Sequence, residues 1–243
     1  MPEHIGIVAC SGPGALLCYE TICAEAHHRL GGHDHPEISL HAFSFGEHVR
    51  RLETGDWPGI GRLLLESARK LASIGAAFAI CPDNTVHQAM PHVEPGSPIP
   101  WLHIADPVAE AAARGGVRRL GILGTRYLME GPVYREKLET AGIEWCVPSS
   151  PARERINEII FRELVFGQVT AEARGQLVGI IDDLRRTESC DAVVLGCTEL
   201  PLIITADVSP LPVLDSTRLL ARAALRRSIA DDGAHSSHSS HRQ

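Results

Sequence analysis

Lysine is almost absent from this 243-residue chain, which carries only Lys70 and Lys137. A pyridoxal phosphate enzyme needs a lysine for its Schiff base. Both lysines lie in stretches with helical periodicity and charged neighbours, 63–71 and 134–138, rather than at a strand end, so no such cofactor is expected. Excess positive charge is also missing: the formal net charge is −7, which offers no basic field to nucleic acid or anionic lipid. No apolar run approaches the roughly 20 residues that span a bilayer, and residues 1–9 lack the charged start and long apolar core of a secretory signal, so a cytoplasmic location is expected. The seven cysteines are odd in number, scattered, and form no Cys-x-x-Cys pair. That pattern argues against a disulfide framework or a zinc knuckle and leaves free thiols. Gly-x-Gly-x-x-Gly is likewise missing, which removes the usual support for a dinucleotide site.

What the chain does contain is strand and helix in alternation. Apolar runs at 5–9, 37–43 and 76–80 read as strands, separated by helical patterns at 15–29 and 59–73. The series then restarts with strands at 118–123, 143–147 and 192–195 and helices at 133–141, 154–166 and 171–186. Such alternation predicts an α/β fold with mostly parallel sheets flanked by helices. Gly6 aligns with Gly121, 115 residues later, and Asp83 with Cys197, 114 later, so two similar lobes are expected. The Pro-rich stretch 91–100 reads as the crossing between lobes. A second crossing near 201–210 would return the chain to the first lobe through 211–214 and a helix at 217–227. The expected division is 1–98 plus 207–230 for the N-terminal lobe and 99–206 for the second, followed by a disordered Ser/His tail at 231–243. His27, His28, His33, Asp34 and His35, and the tail histidines, could ligate a metal, but their Gly- or Ser-rich setting reads as solvated loop, and no metal is expected.

Two polar segments follow buried strands, Cys81-Pro82-Asp83-Asn84-Thr85 and Gly196-Cys197-Thr198-Glu199. Strand C-terminal ends are where open α/β sheets bind ligands. Cys197, beside a hydroxyl and a carboxylate, reads either as a proton carrier or as an inert buried thiol. Asp83-Asn84-Thr85 offers a carboxylate, an amide and a hydroxyl, or forms a plain Asx-turn. Paired through the repeat, Asn84, Thr85 and Thr198 become neutral donors for a substrate carboxylate. Ser11-Gly12-Pro13-Gly14 and Gly124-Thr125-Arg126 hold equivalent strand-to-helix positions, where Ser11, Thr125 and backbone N–H groups could bind carboxylate oxygens or only turn the chain. His87 and His103 lie nearby and read as packed histidines.

Asp83-Asn84-Thr85-Val86-His87 and Gly196-Cys197-Thr198-Glu199, together with His103-Ile104-Ala105-Asp106, residues 123–130, 156–168 and Pro212-Val213-Leu214-Asp215-Ser216-Thr217, resemble the cofactor-independent aspartate/glutamate racemase superfamily, in its aspartate racemase branch. The resemblance implies two lobes with the site between them and often a homodimer. It also implies two cysteines flanking the α-carbon of an amino acid, one removing the α-proton and the other reprotonating the opposite face. Cys197 matches one of them. Where the other directly precedes Asn-Thr, this chain has Asp83, with Cys81 two residues earlier. Arg155 matches a basic residue that the resemblance links to the substrate's side-chain carboxylate.

The leading expectation is therefore a racemase of aspartate, glutamate or an analogue, using no cofactor. In it Asp83 and Cys197 exchange protons, Glu199 tunes Cys197, and Ser11, Asn84, Thr85, Thr125, Arg155 and Thr198 bind substrate. Superfamily members with a single cysteine include decarboxylases of disubstituted malonates, so a single-thiol lyase or isomerase is the alternative. A non-catalytic binder of small carboxylates is a third reading.

Overall fold

The computed structural model describes residues 1–230; the Ser/His tail at 231–243 lies outside the described residues. Eight strands are formed among the described residues: β1 (Ile5–Ala9), β2 (Ile38–Ala42), β3 (Phe78–Ile80), β4 (Trp101–Leu102), β5 (Arg119–Leu123), β6 (Glu144–Cys146), β7 (Ala192–Leu195) and β8 (Val213–Asp215). They make two parallel four-stranded sheets in the orders β2-β1-β3-β4 and β6-β5-β7-β8. The spatial order is the same in both, so the internal repeat read from the sequence is a repeat of topology. Gly6 opposes Ala79 and Gly121 opposes Val193 in register. A Cβ on Gly6 would stand 3.1 Å from the Ala76 Cβ, and one on Gly121 3.0 Å from Val193 and Leu184, so both repeats need the same close approach of a helix or turn to the sheet.

Nine helices cover these sheets among the described residues: α1 (Gly12–Leu30), α2 (Phe45–Glu53), α3 (Trp57–Ser73), α4 (Ala105–Arg114), α5 (Arg126–Met129), α6 (Arg135–Thr140), α7 (Ser150–Arg162), α8 (Ala171–Thr187) and α9 (Ser216–Ile229). Local chemistry sets several of their starts. The Asp56 carboxylate accepts from Gly59 N at 2.8 Å ahead of α3, Thr170 accepts from Ala173 N at 3.1 Å ahead of α8, and Asp215 accepts from Arg218 N at 3.0 Å ahead of α9. Alternation along the strands sends side chains to two faces. Ile5 and Ile7 join Phe78, Ile80, Leu120, Ile122, Val194 and Leu220 in one core shared by both sheets. Val8, Ala79 and Cys81 face Ile60 and Leu64 of α3, and Val193 and Leu195 face Ile156 and Ile159 of α7 with Leu177 and Ile181 of α8.

The expected lobe boundaries require correction. Trp101–Leu102 belongs to the first sheet and Val213–Asp215 to the second, so the chain leaves the first sheet after β4 and the second after β8, not at 91–100 and 201–210. The proline-rich stretches do not bridge the lobes, because each folds into short 3-10 turns, including Glu94–Gly96 and Leu200–Leu202, that return the chain to its own sheet. Pro100 O then accepts from Ala79 N and Pro212 O from Val193 N, at 2.8 and 2.9 Å. The helices after these strands do cross: α9 reaches α1 through Arg222–Glu25 at 2.8 Å, and α4 reaches α6 through Lys137–Asp106 at 2.8 Å.

Candidate active site

A cleft of about 600 Å³, counted out to its open mouth, is lined by residues that follow strands of both sheets. Ser11 follows β1, Asp83, Asn84 and Thr85 follow β3, Thr125 follows β5, and Gly196, Cys197, Thr198 and Glu199 follow β7. Eight of the nine sequence-predicted site residues therefore meet in one cleft. Close packing of backbone permits this convergence. A Cβ on Gly14 in the first turn of α1 would lie 2.3 Å from Thr198 Cγ2, and one on Gly196 would lie 2.9 Å from Leu123 O, so larger residues would push the strand ends apart.

On the second-sheet side, the buried Glu199 carboxylate gathers the local donors. Its Oε2 accepts from Cys197 Sγ at 2.9 Å and from Thr198 Oγ1 at 2.7 Å, and Thr198 Oγ1 lies 3.4 Å from Ser11 Oγ. Burial, the negative charge of Glu199 and the hydrogen bond to it hold the Cys197 thiol well above its usual range, although the Glu199 backbone N–H opposes them. Cys197 is thus a protonated thiol at neutral pH. On the first-sheet side, Asp83 Oδ1 accepts from Thr85 N at 3.0 Å and Val86 N at 3.4 Å, an Asx-turn that fixes the carboxyl while leaving part of it open to the cleft. Burial and the charge of Glu199 raise Asp83 to about 6 against the pull of those two N–H groups. At pH 7 it is mostly a carboxylate, yet its proton is within easy reach.

Asn84 is held by a directed chain. Ser216 Oγ donates to Leu195 O at 2.8 Å and so accepts from Asn84 Nδ2 at 2.9 Å, while Tyr134 Oη donates to Asn84 Oδ1 at 2.6 Å. This chain fixes the amide's orientation and leaves its second N–H free. Thr85 and Thr125 join the two sheets through their hydroxyls at 2.9 Å, and Thr125 also accepts from Leu128 N at 3.3 Å as the cap of α5.

Arg155 does not reach the cleft. Its Nε donates to Gln176 Oε1 at 2.6 Å, and its terminal nitrogens pair with Glu158 at 3.2 Å and Glu163 at 3.4 Å. The arginine lies on the outer side of α7, and α7 turns Ile160 and Phe161 towards the cleft instead. Cys81 is also elsewhere. β3 ends at Ile80, and the Cys81 side chain is fully buried in the core behind the sheet, 3.8 Å from the Cys10 sulfur. Asp83 therefore holds the cleft position. His87 bonds to Cys81 O at 3.0 Å and packs edge-on against His103 with ring centroids 4.6 Å apart, in keeping with packed histidines.

One wall escaped the sequence reading. Phe45, His48, Val49 and Leu52 of α2 line the cleft together with Ile160, Phe161 and Val165. Their spacing of three, four and seven residues is the signature of one helical face, and Ser44 with Glu47 has the spacing of a capping box.

The sequence model of the Asp/Glu/Hydantoin racemase family matches residues 5–224. Among curated proteins, the chain is 21% identical to the broad specificity amino-acid racemase RacX of Bacillus subtilis over 93% of this chain and 98% of that one. A structure provisionally described as an Asp/Glu racemase from Yersinia pestis superposes with a TM-score of 0.83 at 31% identity, covering 93% of this chain and 99% of the other. An aspartate racemase homologue from Pyrococcus horikoshii gives 0.80 at 30% identity, with 94% and 99% covered.

Proposed function

The chain belongs to the Asp/Glu/Hydantoin racemase family, and on that premise we propose that it racemises a free amino acid without a cofactor, using Asp83 and Cys197 as its two proton carriers. One observation carries the reading: a carboxyl raised to about 6 and a thiol held protonated line the same cleft from different sheets. They form a base and an acid ready at the same pH. Asp83 takes the α-proton from one face, electrons move into the substrate carboxylate, and Cys197 delivers its proton to the other face. Asp83 is left protonated and Cys197 a thiolate, and exchange with water restores the starting pair. Ser11, Asn84, Thr85 and Thr198, with Thr125 behind them, supply neutral donors for the substrate carboxylate as it becomes an enediolate. Glu199 holds the thiol's proton in place between turnovers.

The expected second carboxylate contact finds no support, since Arg155 is engaged outside the cleft. A single-thiol lyase is favoured by the fact that Cys197 is the one cysteine lining the cleft among the described residues, but a second proton carrier, Asp83, stands in the same cleft. In deuterated water, purified protein should place deuterium at the α-carbon of at least one common amino acid, and Cys197→Ala should abolish conversion of that amino acid into its enantiomer. Carbon dioxide release from a substituted malonate, with no α-exchange in any amino acid, would overturn the racemase in favour of the lyase.

A further inference from the structure

The cleft contains carboxylates but no cationic side chain among its described lining residues. Asp83 and Glu199 line it, and no lysine or arginine does. Arg51, whose charge acts on His48, is held by Glu47 at 2.6 Å and lies 4.0 Å from Asp56. His48, 4% exposed, is the single polar side chain on the α2 wall, and its Nδ1 has no hydrogen-bond partner. Burial, reinforced by the charge of Arg51, lowers His48 to about 4, so at neutral pH it presents an uncharged imidazole. Around it stand Phe45, Val49, Leu52, Ile160, Phe161 and Val165, all apolar.

A substrate with a second carboxylate would bring that charge to an apolar wall already facing two carboxylates. Desolvation and like-charge repulsion both oppose such binding, and no cation compensates. An uncharged side chain meets the reverse situation. It buries apolar area against the Phe45, Val49, Leu52, Ile160, Phe161 and Val165 side chains. We propose that this wall selects α-amino acids with uncharged, largely apolar side chains, in the range of leucine, methionine and phenylalanine, and that α2 is the specificity element. The proposal rests on the same cleft being the racemase site, and it departs from an acidic substrate.

Binding is measured separately from turnover. Titration calorimetry on Cys197→Ser, which cannot complete the reaction, compares L-leucine, L-methionine and L-phenylalanine with L-aspartate and L-glutamate at pH 7.5. At least one apolar ligand should bind tenfold or more tighter than either acid. Equal or tighter binding of aspartate or glutamate overturns the inference, as does binding of none of the five. Arg155→Ala in the same background should leave every affinity within about twofold, and a tenfold loss for the acids would also overturn it. Leu52→Arg adds a cation to the wall and should raise acid binding tenfold while lowering leucine binding. Apolar binding without deuterium exchange in the wild-type protein would refute the proton-transfer reading and leave the specificity of the wall standing, so the two failures are distinct.

Discussion

If Asp83 is the base, the pH dependence of kcat/KM must follow whatever residue occupies position 83. The wild-type enzyme should show an ascending limb centred at about 6, where burial and Glu199 place the carboxyl, well above the usual 3.8. Above about pH 7 the profile should be flat, because Cys197 is pushed above the ordinary thiol range and must stay protonated to act as the acid. Asp83→Cys substitutes a thiol whose ordinary value is about 8.5, and the same burial and charge raise it further. The ascending limb should therefore move up by at least about 2.5 pH units. At pH 6 the wild type would hold half of its plateau, whereas the variant would hold about one part in 300 of its own, at tenfold per pH unit. Deuterium incorporation at the α-carbon, followed by proton NMR between pH 4.5 and 9.5, gives both profiles. A midpoint that stays near 6 in Asp83→Cys would assign the limb to another group and refute the role of Asp83, as would Asp83→Asn retaining more than a tenth of the activity.

Further predictions concern the groups around that pair. Holding a carboxyl at about 6 against 3.8 in the unfolded chain destabilises its ionised form by up to about 3 kcal/mol at 1.36 kcal/mol per pH unit, an upper bound because Asp83 is partly open to the cleft. The sign follows from the raised value: the wild type is unpenalised below pH 3.8 and loses stability as the pH rises through 6. Asp83→Asn should therefore be more stable than wild type in urea at pH 8 and nearly equal to it at pH 4; a variant less stable at pH 8 would contradict this. Glu199→Gln removes the anion that raises both Asp83 and Cys197, so the ascending limb should shift below 6, and the loss of the thiol's charged acceptor should lower kcat about ten- to a hundredfold. A limb that stays in place or rises would show that Glu199 does not act on Asp83. Tyr134→Phe leaves Asn84 Oδ1 buried without its 2.6 Å partner, at a cost of about 1–3 kcal/mol in chemical denaturation. No measurable loss would mean that the amide is not held by this chain.

Much of this frame was legible because its signals are local. Short apolar runs at 76–80 and 192–195, each followed by a polar segment, predict buried parallel strands with chemistry at their ends, and strands form at Phe78–Ile80 and Ala192–Leu195. The 115-residue offset between Gly6 and Gly121 reflects a shared steric demand, and a demand of that kind shows in a single sequence. The lobe boundaries were not legible in the same way. A two-residue strand such as Trp101–Leu102 has no periodicity of its own and is defined by pairing with β3, which depends on where the proline-rich turns send the chain. Arg155 was misplaced because its identity matches a family position, whereas its direction is set by Gln176 on α8 and Glu163, contacts formed only when α7 and α8 pack together. The α2 wall is the opposite case. Its signal, Phe45, His48, Val49 and Leu52 on one helical face, is present in the sequence, but a nine-residue helix between a strand and a longer helix is easily read as a connection.

The repeat places equivalent strand ends around the cleft without making them chemically equivalent. Cys81 cannot serve as the mate of Cys197: the strand ends before it, Pro82 has no N–H with which to continue the ladder, and the thiol turns into the core beside Cys10. In the proposed mechanism the mate is a carboxyl raised to about 6, against a thiol held well above its usual range. Enantiomers have equal free energy in solution, so this inequality cannot bias the equilibrium, and kcat/KM must be the same in both directions. It acts instead on the enzyme's proton inventory. One enantiomer meets the resting state, carboxylate and thiol, while the other must find a protonated carboxyl and a thiolate beside Glu199, a state that is scarce at neutral pH. Binding and turnover of the two enantiomers therefore differ separately while their ratio is preserved. In this way a duplicated fold would accommodate the proposed asymmetric proton pair.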